Sequence, residues 1–248
     1  MRIAAVVVVA LLAVAACGGG GTSTPTPSSP APIAAVDACN IFGSGAPASG
    51  TSILNGAECS PDRSPVVLLN MSGIGGGGQC SGTIIGPRAV LTAAHCLDEG
   101  VSEVRVWLGP PNPQIVTTSF VHYPNYAFGR SDLFDVGVIF VDEDLPRTSI
   151  PILANRDPRV GETAVLVGWG RNQDNAGATL RAGSTTLSAV GSSLLETRFG
   201  PPSSSVCSGD SGGPLLVSEG GLWVIAGITS ATSSNACNEG INFYQSVR

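Results

Sequence analysis

A serine hydroxyl is a weak nucleophile, so a chain that uses one must supply a base to take its proton and donors to hold the charge that develops. The segment Cys207-Ser208-Gly209-Asp210-Ser211-Gly212-Gly213-Pro214 offers such a serine. Glycines on both sides of Ser211 leave its hydroxyl accessible and let the backbone turn sharply. The same string also suits a plain surface turn, because Gly, Asp and Ser are favoured there. The chain has two histidines, His95 and His122, so the choice of base is narrow. His95 ends the stretch Leu91-Thr92-Ala93-Ala94 beside Cys96, whereas His122 sits in the loop-like Val121-His122-Tyr123-Pro124 and reads as structural. Asp135 opens an apolar run, Val136 to Val141, which puts a carboxylate at the edge of a buried strand. A buried Asp needs a donor, and an imidazole N–H would serve. Asp132, in the more polar Arg130-Ser131-Asp132, is the rival and suits a solvated turn. Ser211, His95 and Asp135 together could perform acyl transfer through a covalent intermediate.

The elements that must position these residues are strands. From Ile53 onward, short runs rich in Val, Ile, Leu and Thr alternate with Gly, Pro, Asn and Ser, as in Val66-Val67-Leu68-Leu69, Val104-Arg105-Val106-Trp107-Leu108 and Leu222-Trp223-Val224-Ile225-Ala226. No amphipathic helix longer than about ten residues and no 20-to-50-residue repeat stands out. The class is all-β, a barrel or a sandwich.

The order of three segments, Leu91-Thr92-Ala93-Ala94-His95-Cys96, Phe134-Asp135-Val136-Gly137-Val138 and Gly209-Asp210-Ser211-Gly212-Gly213, resembles the chymotrypsin/trypsin family of serine proteases. Ile53-Leu54-Asn55-Gly56, Cys80-Ser81-Gly82-Thr83 and Val167-Gly168-Trp169-Gly170 extend the resemblance from about Ile53 to Val247. It implies two six-stranded antiparallel barrels with His95, Asp135 and Ser211 in the cleft between them, and serine endopeptidase activity. Gly209 and Ser211 would present their amides to the oxyanion. The resemblance pairs Cys80 with Cys96 and Cys207 with Cys237, which leaves Cys39 for Cys59; with Cys17 set apart, the other six of the seven cysteines alone permit 15 pairings. It also implies a zymogen, in which cleavage before Ile53 frees an ammonium that pairs with Asp210. The residues before that bond are Gly50-Thr51-Ser52 and not a basic one, which points away from a trypsin-like activator and toward cleavage by the enzyme itself. By the family's spacing Ser205 lies at the floor of the primary specificity pocket, with Ser230, Thr232 and Gly240 in its walls. No charge is among them, and the Thr232 side chain narrows the slot, which implies small or medium apolar residues before the scissile bond. Ala231 replaces the usual Trp, and no C-terminal helix follows the last strand.

The remaining sequence suggests export. Met1-Arg2 and the apolar run Ile3 to Ala16 form a signal peptide over 1–16, too short to span a bilayer as a mature helix. It ends Leu12-Ala13-Val14-Ala15-Ala16-Cys17-Gly18, which resembles the bacterial lipobox, so Cys17 is the expected lipidation site and the bacterial cell envelope the expected location; ordinary cleavage near Ala16, without lipidation, would instead release a secreted protein. Residues 17–38 are a Gly/Ser/Thr/Pro tether, which could hold a domain on the order of 50 Å from the anchor. A propeptide-like segment, 39–52, precedes a protease domain over 53–248. The chain is 12% charged with a net charge of -6 and has no Lys/Arg run, which argues against a nucleic acid partner. Two histidines 27 positions apart leave no zinc ligand cluster, so neither metal nor cofactor is expected. The expected partners are protein or peptide substrates of a monomer; the rival from another class is a catalytically inactive, protease-like binding module.

Overall fold

The computed structural model describes residues 39–41, 53–74, 76–98, 100–127, 134–171, 178–234 and 236–248. The signal peptide, Cys17, the tether, most of segment 39–52 and Asp132 lie outside the described residues.

A two-residue strand, β1 (Ala57–Glu58), precedes the first sheet, which comprises β2 (Val66–Gly73), β3 (Gly76–Gly86), β4 (Ala89–Thr92), β5 (Val101–Trp107), β6 (Ile115–Thr117), β7 (Phe120–His122) and β8 (Gly137–Phe140). Their order is β6-β5-β2-β3-β4-β8-β7, all antiparallel. The two end strands are the halves of one bent segment, 115–122: its first half pairs with β5 and its second with β8. The sheet therefore curls into a barrel of six strands closed through the bend at Thr118 and Ser119. Period-2 alternation is plain in β5, where Val104 and Val106 are buried and Arg105 is exposed.

The second sheet holds β9 (Thr163–Gly168), β10 (Arg181–Val190), β11 (Leu194–Arg198), β12 (Pro214–Glu219), β13 (Leu222–Thr232) and β14 (Ile241–Ser246). It runs β10-β11-β14-β13-β12-β9, and β9 pairs back onto β10 from Arg181↔Gly168 to Thr186↔Thr163, closing a six-stranded barrel; β1 adds to the free edge of β10. Closure removes the exposed edges that an open sheet would leave.

Every residue of β9 is buried, because its two faces meet different cores. Ala164 and Leu166 point inside the second barrel with Leu187, Leu195, Leu215 and Tyr244. Val165 and Val167 face the first barrel, in one apolar cluster with Leu69, Val90 and Ile139. Full burial of each such side chain stabilises by about 1.5–3 kcal/mol. Trp169 sits at the junction: its indole Nε1 donates to the Val66 carbonyl at 3.1 Å, and its ring lies 5.6 Å from that of Trp107.

The disulfides are Cys39–Cys59, Cys80–Cys96 and Cys207–Cys237, the pairings expected from the sequence. His122 ends β7 as a strand residue, contrary to the loop expected for it; its ring Nδ1 donates locally, to the Tyr123 carbonyl at 3.1 Å. Pairing with Gly137 supplies the strand contacts that its flanking Tyr-Pro-Asn residues hide in the sequence.

Candidate active site

His95 lies in a single 3-10 turn, Ala94–Leu97, immediately after β4. Three restraints hold that turn. The Cys80–Cys96 disulfide ties it to β3, β4 pairs with β8, and the backbone amide of His95 donates to Asp135 Oδ1 at 2.9 Å. Asp135 arrives just before β8, after Phe134, whose φ of +65° turns the chain inward and whose ring stacks on Tyr123 at 4.4 Å. The carboxylate is 1% exposed, and Oδ2 lies 2.8 Å from His95 Nδ1. Nδ1 must then carry the proton, which leaves Nε2 as the basic atom facing outward. Ser230 in β13 also donates to Oδ2, and the Asp135 amide donates to Gln245 Oε1 in β14 at 3.1 Å. Burial opposes ionisation of Asp135, but the hydrogen bond and charge of His95, with the Ser230 hydroxyl, outweigh it and hold the carboxyl below its ordinary range.

Ser211 is brought to this pair by the backbone around it. The Ser81 amide in β3 donates to the Ser211 carbonyl at 2.7 Å, and the Gly212 amide donates to Thr229 in β13 at 2.8 Å. At Gly212, φ is +80° and an added Cβ would stand 2.1 Å from Thr92 Oγ1 and 3.0 Å from the Ala93 nitrogen, so the serine turn packs directly on the chain that leads into His95. Among the described residues no hydrogen bond joins the Ser211 hydroxyl to His95; such contacts commonly tighten only when substrate is bound. Gly209, at φ +94°, passes so close to Gly170 that a Cβ would stand 2.9 Å from its Cα. The amides of Gly209 and Ser211 donate to no acceptor among the described residues, whereas their neighbours Asp210, Gly212 and Gly213 all do.

Asp210 points the other way, into the protein. It is 1% exposed, with Oδ1 accepting from the Gly170 amide and Oδ2 from the Cys207 amide, each at 2.8 Å. Burial pushes its carboxyl up to about 6, against the pull of those two amides and the charge of Arg181. Ile53 is 2% exposed within the second barrel's core, and no hydrogen bond joins it to Asp210 among the described residues.

A cleft of about 290 Å³ opens beside Ser211, lined by Val206, Ser208, Ser230, Ala231, Thr232 and Cys237 among others. Ser230 and Thr232 are among its lining residues. Ser205 and Gly240 do not line it. Ser205 is fully buried, its hydroxyl donating to Asn242 Oδ1 at 3.0 Å. Gly240 makes a turn at φ +84°, where a Cβ would stand 2.4 Å from Ser233 Oγ. Asn242, two residues on, is the residue that β14 turns inward against Ser205.

Ser81 was also missed. Its hydroxyl donates to the Gly209 carbonyl and accepts from the Trp169 amide, each at 2.9 Å, so one side chain of the first barrel holds both the serine turn and the barrel junction.

The chain matches the trypsin family model over residues 53–248. It belongs to the trypsin family. Among its relatives are chymotrypsin of Phaedon cochleariae, 33% identical over 192 residues that cover 66% of this chain and 69% of that one. Chymotrypsin-like elastase family member 1 of Bos taurus is 29% identical, over 77% of this chain and 83% of its own. Kallikrein-8 of Rattus norvegicus is 30% identical, over 74% and 77%.

Proposed function

We propose that this chain is a serine endopeptidase that cleaves protein or peptide substrates through an acyl-enzyme. The observation that carries the reading is the Asp135 carboxylate, buried and bonded to both the ring and the amide of His95. In this reading Ser211 attacks the scissile carbonyl while His95 Nε2 takes its proton. Asp135 fixes the tautomer and stabilises the imidazolium, and the uncommitted Gly209 and Ser211 amides receive the oxyanion. His95 then returns the proton to the leaving amine, and water releases the acyl group by the reverse path.

The cleft beside Ser211, lined by Ser230, Ala231 and Thr232 with no charged side chain among its lining residues, favours small or medium apolar residues before the scissile bond. Cleavage before Ile53 matures the enzyme, with the new ammonium pairing with Asp210. The Cys39–Cys59 bond then keeps the segment containing Cys39 attached to the domain. The signal peptide directs export, and lipidated Cys17 anchors the enzyme to the cell envelope through the tether.

A peptide library varied at the residue before the cleaved bond tests the reading. Cleavage after Ala, Val or Ser in preference to Arg, Lys or Phe, and absent from Ser211→Ala, is the expected result. Equal products from wild type and Ser211→Ala contradict the enzyme, and no cleavage of any peptide favours the binding module.

A further inference from the structure

Arg181, the first residue of β10, is a cation in an unusual place: it is 2% exposed. Its Nη2 meets Glu58 Oε1 at 3.1 Å, its Nη1 meets the carbonyls of Thr179 at 3.3 Å and Gly170 at 3.4 Å, and its Nε has no partner among the described residues. Gly170 is the residue whose amide Asp210 holds, so the guanidinium and the carboxylate grip the two ends of one residue. The ladder repeats the arrangement: Arg181 pairs with Gly168, where an added Cβ would stand 2.1 Å from Asp210 Oδ1. A guanidinium keeps its proton in any protein environment, so this charge is permanent. Its field favours the ionised form of Asp210.

A buried carboxylate without a nearby cation would be costly, and the turn it anchors would be the part to give way. Yet that turn is formed among the described residues. Both Asp210 oxygens are bonded, and among the described residues the Gly209 and Ser211 amides meet no acceptor and no bond joins Ile53 to Asp210.

We infer that Arg181 is a positioning residue that serves as the counter-charge to Asp210 in the uncut chain and so gives the precursor activity before any new N-terminus exists. The inference rests on the endopeptidase reading above. It also supplies what self-cleavage at Ser52-Ile53 requires, because Ser52 is a small residue of the kind the cleft accepts, and a precursor must be active to cut its own copies.

The test is labelling of the purified full-length chain with a fluorophosphonate, followed by reduction and intact mass, which reads uncut molecules and molecules beginning at Ile53 separately in one sample. In wild type both species label at Ser211. In Arg181→Gln, labelling of the uncut species falls by about tenfold or more while the cut species stays within about threefold, since the Ile53 ammonium then compensates Asp210. Arg181→Lys restores part of the uncut rate. Glu58→Gln, which keeps the cation, leaves it unchanged or faster. Three outcomes overturn the inference: uncut wild type that does not label while the cut form does, uncut Arg181→Gln that labels like wild type, or an equal loss in both species that Lys does not repair. Absence of labelling from both wild-type species would instead contradict the endopeptidase reading.

Discussion

Asp135 and Asp210 are both 1% exposed, yet their surroundings push them in opposite directions. Asp210, raised from 3.8 to about 6 by burial, favours the folded state fully below its unfolded value and loses that contribution as pH rises through about 6. A difference of this size corresponds to about 3 kcal/mol. Urea unfolding of the uncut chain, kept uncut by Ser211→Ala, should therefore show stability falling relative to the same chain carrying Asp210→Asn between pH 4 and 7; parallel curves would refute it. Asp135 has the opposite sign: its lowered value adds stability above the unfolded carboxyl range, and that stability is lost as pH falls through the folded value. Asp135→Asn should cost about four orders of magnitude in kcat, because the amide no longer selects the Nδ1–H tautomer. Steady-state hydrolysis with folding checked by circular dichroism measures it, and a loss under tenfold would remove Asp135 from its role. The contact between His95 and Asp135 was legible, because residue type, local apolar context and the order of the segments all pointed to it. Ser81, Gln245 and Asn242 were not. Their partners lie 128, 110 and 37 residues away in Gly209, Asp135 and Ser205, and no local pattern records such contacts.

At the scale of elements, the His95 turn depends on the Cys80–Cys96 bridge, which closes a span of 16 residues. Replacing both cysteines with Ala should cost about 3 kcal/mol by the chain-entropy account. Because the bridge also holds His95 toward Asp135, activity at a temperature where the variant is still folded should fall as well. Thermal unfolding paired with hydrolysis rates reads both, and unchanged activity in the folded variant would show that β4 and β8 suffice. The long strands were readable from their alternation and turn residues. The bend that splits 115–122 into β6 and β7 was not, since either half alone looks like a short, half-exposed run. Nor was β1, two residues whose strand character comes from pairing with Ala182 and Arg181 rather than from their own preference.

At the scale of the whole molecule, two closed barrels share a junction at Trp169, and the proposed catalytic residues come from both: His95 and Asp135 from the first, Ser211 from the second. Neither barrel alone holds the site, which is why the order of three distant segments was the informative feature of the sequence. Cys17→Ser should move the protein from the membrane fraction to the soluble fraction with the same hydrolytic rate, and an unchanged distribution would argue against lipidation. The central claim, an active serine nucleophile served by His95 and Asp135, is tested most directly by mapping the site of a fluorophosphonate adduct on the folded protein. The account predicts one adduct, on Ser211, lost on prior denaturation and slowed by about a thousandfold or more in His95→Ala. A folded wild-type protein that takes no adduct at Ser211, or takes it as fast without His95, would contradict it.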